Sequence, residues 1–214
     1  MKIKTTFVML VVMATLVFAS YSTASAARKY KFNAADTFIY DPFNIGGGFA
    51  QWMDGIGEGD FPNCRTNFGL LLQKSQPTDA VLAVGTQLEG LTGAVVTEDD
   101  TLGYDIRSDS PCLAGSPRFN VTYTLPDGTE GFSFVGGCAN GTITTSPQNP
   151  SWNRVTFDLQ TQAFPAIPAG STIESVILIV DDQGSYTVDN IQFRDVYFDG
   201  SNGNRAGQEP RCSL

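Results

Sequence analysis

Histidine is absent from all 214 residues of this chain. The absence excludes catalysis by Ser-His-Asp or Cys-His groups and excludes catalytic metals held by imidazole, since each depends on a histidine side chain. Beyond the N-terminal stretch, no window of a dozen residues has a helical apolar period, so amphipathic helices are not expected. The sequence therefore lacks the commonest hydrolytic groups and the pattern of helical elements.

Carboxylate and phosphate motifs are also missing. Hydrolysis of glycosides needs two carboxyl groups at a fixed separation, and no closely spaced Glu-x-Asp-x-x-Glu arrangement occurs. The glutamates are isolated from one another: Glu58, Glu89, Glu98, Glu130, Glu174 and Glu209. No Lys-Ser or Lys-Thr follows the glycines of 46–48 and 55–59, which excludes a phosphate-binding loop and indicates flexible loop glycines. A carboxylate pair contributed by distant loops stays open as an alternative.

The first 26 residues have the pattern of a signal peptide. Lys2 and Lys4 form a basic start, residues 7–18 are mostly apolar, and Ala24-Ser25-Ala26 has the small-x-small form of a signal peptidase site. The apolar stretch falls short of the roughly 20 residues that span a membrane. We therefore expect an exported chain, secreted or periplasmic, with no membrane span after cleavage.

Without residues 1–26 the chain is strongly acidic. Removing Lys2 and Lys4 from the 13 basic residues leaves 11 against 22 acidic ones, a net charge of −11. The remaining length fits one domain, which we expect over residues 27–199, with a Gly-rich polar tail over 200–214. An acidic surface repels phosphate backbones and anionic lipid, so neither nucleic acid nor membrane is expected as a partner.

Four cysteines lie in the exported part, where disulfides form and persist. They lack the close C-x-x-C spacing of zinc sites, so two disulfides are predicted rather than a metal. Of the three pairings that four cysteines allow, we favour Cys112 with Cys138, because these residues flank a predicted hairpin. That choice leaves Cys64 to pair with Cys212 and to hold the C-terminal tail.

Apolar residues alternate with polar ones between clusters of Gly, Pro, Asn and Asp, and this pattern predicts eight or nine strands. The predicted strands cover 37–40, 68–73, 80–84, 103–107, 118–125, 132–134, 152–159, 173–180 and 186–198. The run 173–180 is rich in β-branched residues and precedes a Gly-containing turn, as is typical of a strand buried on both faces. Strands without intervening helices indicate an all-β fold, an antiparallel β-sandwich of jelly-roll type.

Two local features of these strands are predicted. The odd-numbered residues of 118–125 are apolar and face one way, and the turn at 126–128 joins this strand to the next as a hairpin. Val188 and Ile191 cannot both face inward on a strict two-residue repeat, so the last strand is expected to begin or bulge near Asp189.

A family likeness rests on three segments. Trp152-x-x-Val155-x-Phe157-x-Leu159, the run 173–180 and Val188-Asp189-Asn190-Ile191 together resemble the closing strands of galactose-binding-like jelly rolls, a group that holds many carbohydrate-binding modules. The block 115–121 leading to Gly137-Cys138 is also similar to secreted bacterial proteins of uncharacterised function. The resemblance covers roughly residues 110–198 and implies a glycan-binding module.

The same resemblance implies a structural calcium. In carbohydrate-binding jelly rolls of this type the Asp of the Asp-Asn-Ile segment often helps to hold the ion, which would make Asp189 a ligand, with Asp36 or Asp41 as its N-terminal partner. Calcium takes 6 to 8 oxygens and suits an acidic extracellular protein. The other interpretation is that Asp189 caps a turn by accepting hydrogen bonds from backbone amides, and both stay open.

Sugar recognition needs exposed aromatic rings for the apolar face of a pyranose and polar side chains for its hydroxyls. The aromatic candidates are Trp52, Tyr104 and Tyr123, whereas Trp152 opens a periodic strand and is assigned to packing. The polar candidates are Arg107, Arg118 and Asn120, with Gln192 as a further option.

Three functions follow from these observations. The first is a secreted, non-catalytic module that binds extracellular or cell-surface glycan. The second is a structural or protein-contact β-sandwich, which an exposed apolar patch without a polar-lined groove would favour. The third is a glycoside hydrolase with an unrecognised carboxylate pair, which two facing carboxylates in a cleft would favour.

Overall fold

The computed structural model describes residues 31–58 and 68–199, in which thirteen strands and one short 3-10 helix, Cys138–Asn140, occur without any α-helix. The strands, numbered β1 to β13 in chain order, are Lys31–Tyr40, Gly48–Met53, Gly69–Lys74, Ala83–Leu88, Thr101–Arg107, Arg118–Thr124, Glu130–Gly136, Thr142–Thr145, Trp152–Asp158, Ala163–Phe164, Thr172–Val180, Gly184–Phe193 and Val196–Asp199.

These strands form two facing sheets. The six-stranded sheet has the order β10-β7-β6-β11-β4-β1. The seven-stranded sheet has the order β2-β3-β12-β5-β9-β8, with β13 beside the end of β12. The first part of β1 pairs with β13, in parallel, and the second part pairs with β4. Every other strand pair of the described residues is antiparallel, so the predicted all-β antiparallel sandwich is confirmed.

Aromatic side chains from both sheets meet in the core. Tyr104 on β5 and Phe157 on β9 come from the seven-stranded sheet, and Phe119 on β6 comes from the six-stranded one. Their ring centroids lie 5.7 to 6.0 Å apart in tilted and edge-on arrangements, which aromatic pairs favour. The Tyr104 hydroxyl donates to the Pro117 carbonyl oxygen at 2.9 Å, so burial leaves no unpaired polar atom there.

The hairpin and the central strand agree with the sequence. β6 and β7 pair over their whole lengths, and the inward-facing Phe119, Val121 and Tyr123 are buried. β11 lies between β6 and β4. Burial on both faces holds only for its C-terminal part, because Glu174 near its start is exposed. The sequence predicted burial along the whole run. The difference arises because the first residues of β11 lie at the end of the sheet beside the exposed groove described below.

The bulge predicted near Asp189 is confirmed. The pairing of β12 with β5 shifts register between Asp189 and Gln192, and Asn190 has φ +45°, in the left-handed region that Asn tolerates better than most residues. Because of this shift Val188 and Ile191 both point into the core, where each is fully buried.

Several strand predictions differ from the structure, which has thirteen strands where eight or nine were predicted; β2, β8 and β10 were missed. The glycines of 46–48 were expected to be flexible, but Gly48 begins β2, all of which pairs with β3. A Cβ on Gly48 would lie 2.9 Å from Ile39 Cγ2, so glycine is needed there for close packing. β4 begins at Ala83, three residues later than predicted, and 186–198 divides into β12 and β13.

The predicted disulfide between Cys112 and Cys138 is present and ties the loop before β6 to the 3-10 helix after β7. The predicted pair Cys64–Cys212, the signal peptide over 1–26 and the tail over 200–214 lie outside the described residues. Within the two described ranges, no helix has the length and apolar character needed to cross a membrane.

Candidate functional site

The three predicted aromatic platforms are buried. Trp52 is 7% exposed and its indole Nε1 donates to the Ala35 carbonyl oxygen at 2.9 Å, while Tyr104 and Tyr123 are 0% and 4% exposed. A ring without an exposed face cannot stack on a sugar, so burial contradicts the predicted use of these three residues as stacking platforms. Tyr123 does border the groove described below. Each lies on the inward face of its strand, which the alternation alone could have indicated. Trp152 is also buried, in agreement with its assignment to packing.

Two of the predicted polar residues share one surface. Arg118 and Asn120 lie on the outer face of β6, where Arg118 Nε donates to Asn120 Oδ1 at 3.1 Å. The Arg118 guanidinium also makes two hydrogen bonds, of 2.6 and 2.7 Å, to the Asp181 carboxylate. Burial alone would raise the pKa of Asp181, but the Arg118 charge holds this pKa below its usual value. Arg107 lies apart from them, at the end of β5, and pairs with Asp109 at 2.6 Å.

Exposed aromatic rings occur on this same surface, at residues that the sequence analysis did not select. Phe132 and Phe134 on β7 are each 43% exposed, and Phe164, opposite Phe134 on β10, is 80% exposed. The centroids of the Phe132 and Phe134 rings are 4.9 Å apart at nearly a right angle. The Arg118 guanidinium carbon lies 5.2 Å from the Phe134 centroid. Phe132, Phe134 and Phe164 are called the aromatic strip below.

The outward orientation of the strip has a cause in the core. Tyr123 points inward from β6 and its ring occupies the space that a side chain at Gly131 would need. Ser133 also points inward, where its hydroxyl donates to the Pro165 carbonyl oxygen at 2.6 Å. With Gly131 and Ser133 on the inner face, the two-residue repeat of β7 places Phe132 and Phe134 on the outer one. Over residues 132–134 the apolar and polar side chains are thus inverted relative to the usual pattern, and Val135 restores an apolar side chain to the core.

A groove of about 710 Å³ adjoins the strip at the turn end of the hairpin. It is lined by Thr122, Tyr123, Thr124, Glu130, Gly131, Phe132 and Glu174. The Thr122 and Ser175 hydroxyls lie 2.6 Å apart across β6 and β11, and Thr124 Oγ1 donates to Glu174 Oε1 at 2.9 Å. One aromatic ring, two hydroxyls and two carboxylates therefore converge on one exposed site, called the groove below.

A second polar cluster is buried at the bulge of β12. Glu58 and Asp105 are fully buried, and Asn190 Nδ2 donates to Glu58 Oε2 at 3.2 Å and to Asp105 Oδ2 at 3.0 Å. Arg154 donates two hydrogen bonds to the Asp105 carboxylate, from Nε at 2.7 Å and from a terminal nitrogen at 2.5 Å. Burial first, and hydrogen bonding to Asp105 second, raise the pKa of Glu58 to about 8.

This buried pair does not have the geometry of a glycosidase. Glycosidase carboxyl groups stand about 5 to 9.5 Å apart so that a sugar or a water fits between them. Glu58 and Asp105 instead contact each other by a hydrogen bond and neither has exposed surface. The Oε1 atom of Glu58 accepts no hydrogen bond, which is costly for a carboxylate and much less so for a protonated acid. The cluster is a structural feature of the bulge.

The three residues predicted as calcium ligands make different contacts. Asp189 accepts hydrogen bonds from the backbone N–H of Glu58 and of Asn190, each at 2.7 Å, which is the capping role left open by the sequence. Asp41 accepts from Ile45 N and Gly46 N in the β1–β2 loop, and Asp36 lies exposed on β1. In the parts of the chain that the structure describes, no group of three or more Asp, Glu, His or Cys side chains fits a metal. A calcium site that completes its ligands with backbone oxygens stays a prediction.

Comparison with known proteins gives a likeness in fold. No family model matches this chain, and no curated protein matches it. A matching solved structure comes from work on the promiscuous specificity of carbohydrate-binding modules from the β-sandwich superfamily. The match has 14% sequence identity and a TM-score of 0.33, and it covers 78% of this chain and 59% of that chain. At this TM-score, function has to be argued from the site itself.

Proposed function

We propose that this protein is a secreted, non-catalytic glycan-binding β-sandwich whose ligand lies on the outer face of the six-stranded sheet. The observation that carries the proposal is the pair of neighbouring exposed rings, Phe132 and Phe134, beside a polar-lined groove. Large apolar side chains that are exposed together commonly mark a binding surface. A polar-lined groove also distinguishes this surface from the bare apolar patch that a purely structural sandwich would present.

The chemistry of the face suits a sugar. The apolar C–H face of a pyranose stacks on an aromatic ring. Hydroxyl side chains donate hydrogen bonds to the sugar hydroxyls or accept them, and carboxylates accept them. Thr122 and Thr124 supply hydroxyls, and Glu130 supplies a carboxylate on the neighbouring strand. Because these side chains stand on paired strands, little conformational freedom is lost when a ligand binds.

Binding without hydrolysis is supported by the position of the carboxyl group whose pKa is raised. A glycosidase uses one carboxyl group of raised pKa as its general acid. In this protein the carboxyl group with a pKa raised to about 8, Glu58, is buried against Asp105 and Asn190 of the seven-stranded sheet. It has no access to a ligand on the outer face of the other sheet.

The test is a binding screen on immobilised polysaccharides with the double variant Phe132→Ala/Phe134→Ala. Each aromatic stack contributes about 0.5 to 1.5 kcal/mol, so the loss of two should weaken binding by roughly 5-fold to 150-fold. Phe43→Ala is the matched control, because Phe43 is 70% exposed but follows β1, at the opposite edge of the six-stranded sheet. Binding by the double variant equal to that of the control would refute the proposal.

A protein-contact role is the second candidate, and one surface favours it. Exposed apolar side chains gather where β1 ends, with Tyr40 55%, Phe43 70% and Ile45 42% exposed. Light scattering after size exclusion would detect self-association through this surface. A dimer that Phe43→Ala dissociates, together with no glycan binding, would favour protein contact over the module.

A further inference from the structure

The groove beside the aromatic strip has an unbalanced charge. Its seven lining residues include two glutamates, Glu130 and Glu174, and no lysine or arginine. Both glutamates are exposed, so each meets the ligand rather than the core. A ligand in this groove is therefore in contact with two negative charges at neutral pH.

The neighbouring cation does not neutralise them. Arg118 lies on the same face of β6, but its two terminal nitrogens bind the two oxygens of Asp181. Its Nε is also occupied, by Asn120 Oδ1. Arg118 thus forms a compensated pair, and the whole exported chain, with its net charge of −11, adds to the negative potential.

The two carboxylates stand on opposite sides of the middle strand. Glu130 lies on β7 and Glu174 on β11, with Thr124 of β6 between them. Neighbouring strands are about 4.8 Å apart, so the two strands that carry the glutamates are separated by roughly 10 Å. Phe132, on the same strand as Glu130, supplies the stacking ring. A ring beside one carboxylate, with a second carboxylate across the middle strand, matches a chain of sugars that carry positive charges.

We propose that the groove selects glycans with free amino groups, such as glucosamine oligomers, over neutral and uronic acid glycans. This inference rests on the proposed glycan-binding function. The ammonium groups would pair with Glu130 and Glu174, the pyranose face would stack on Phe132, and the carboxylates of uronic acids would be repelled. Salt should weaken the preference, because the Debye length shrinks from about 10 Å at 0.1 M to about 3 Å at 1 M.

The test compares two soluble oligosaccharides of equal length by calorimetry, one of glucosamine and one of N-acetylglucosamine. The buffer is held at about pH 5.5, so that the sugar amines are protonated. We expect the wild-type protein to prefer the glucosamine oligomer. Glu130→Gln/Glu174→Gln should bind it roughly 5- to 10-fold more weakly, as expected for two exposed ion pairs, and should keep its affinity for the N-acetylated one.

A control variant that loses the same charge distinguishes binding in the groove from general electrostatic attraction to an acidic protein. Glu98→Gln/Asp99→Asn also removes two exposed carboxylates, but in the turn before β5, whose residues do not line the groove. This control should keep the full preference. The Glu174→Gln side chain retains an oxygen that accepts from Thr124 Oγ1, and equal urea midpoints for both double variants would establish that folding is intact.

The outcomes distinguish the two levels of the proposal. Equal binding of both oligomers, or a preference lost equally in Glu98→Gln/Asp99→Asn, overturns the amine selectivity and leaves the glycan-binding function standing. If no oligosaccharide binds, or if binding does not depend on Phe132 and Phe134, the glycan-binding function is overturned as well.

Discussion

Glu58 makes the stability of this fold depend on pH. Its pKa is raised from 4.5 to about 8 in the folded protein, first by burial and then by the hydrogen bond with Asp105. Between these two values the folded state holds a proton that the unfolded state has released. The free energy of unfolding therefore falls as pH rises through this window, by about 1.4 kcal/mol per pH unit for one proton. From about pH 5 to pH 7 the expected loss is roughly 2 to 3 kcal/mol.

The change of unfolding free energy with pH that Glu58 causes has the opposite sign to that caused by the ion-paired carboxyl groups. Burial alone would raise the pKa values of Asp100 and Asp181, but Arg194 and Arg118 respectively hold these pKa values below the usual 3.8. Their stabilisation is complete at neutral pH and is lost only in more acidic solution. No histidine titrates in between, since the chain has none. The interval from about pH 5 to pH 8 therefore isolates the effect of Glu58.

Urea denaturation over this pH interval, followed by tryptophan fluorescence, measures the effect. Glu58→Gln replaces a protonated acid by a neutral amide that retains an oxygen for Asn190 and an N–H for Asp105, so its stability should be nearly flat with pH. Glu98→Gln, in an exposed turn, should keep the wild-type slope. A wild-type protein whose stability is flat or rises between about pH 5 and pH 8 would show that Glu58 is ionised in the fold. An equal slope in Glu58→Gln would place the proton elsewhere.

Further substitutions test the scaffold, each by urea denaturation. Leu178→Ala on the fully buried inner face of β11 should cost about 2 to 5 kcal/mol, and a cost below about 0.5 kcal/mol would mean that the strand is not central. Cys112→Ser should cost about 3.5 kcal/mol, because the bridge to Cys138 closes a loop with a sequence separation of 26; unchanged stability under oxidising conditions would refute the bridge. Lys74→Met should cost about 2 to 4 kcal/mol, since the ammonium group donates to three carbonyl oxygens at 2.7 to 3.1 Å while 1% exposed; wild-type stability would show that these bonds add nothing.

The sandwich was predictable because alternation and turn residues report the strands directly. The β6–β7 hairpin, the central position of β11, the bulge at Asp189 and the Cys112–Cys138 bridge all follow from local patterns. β2 was not predicted, since Gly48 looks like a loop residue until the approach of Ile39 and Val84 is known. Local sequence patterns thus identify a strand more readily than they identify a close contact between strands distant in sequence.

The candidate site was less predictable than the fold, because exposure is a property of the assembled sheets. Trp52 and Tyr123 have the chemistry of sugar platforms but lie on inward faces. Phe132 and Phe134 were read as strand residues, and nothing in the sequence alone shows that Ser133 between them hydrogen-bonds inside. Arg118 and Asn120 were placed correctly on one outward face, since the alternation along β6 is regular.

Core packing and the proposed binding face are set by one strand register. Tyr123 fills the space over Gly131, and this contact commits β7 to presenting Phe132 and Phe134 outward. A slip of β7 by one residue would place both rings in the core and return Ser133 to solvent, so the register that exposes the rings cannot change without disrupting the packing beneath it. The Cys112–Cys138 bridge joins the start of β6 to the end of β7 and opposes such a slip. The aromatic strip is therefore held by the same contacts that stabilise the sandwich, as a preorganised binding surface requires.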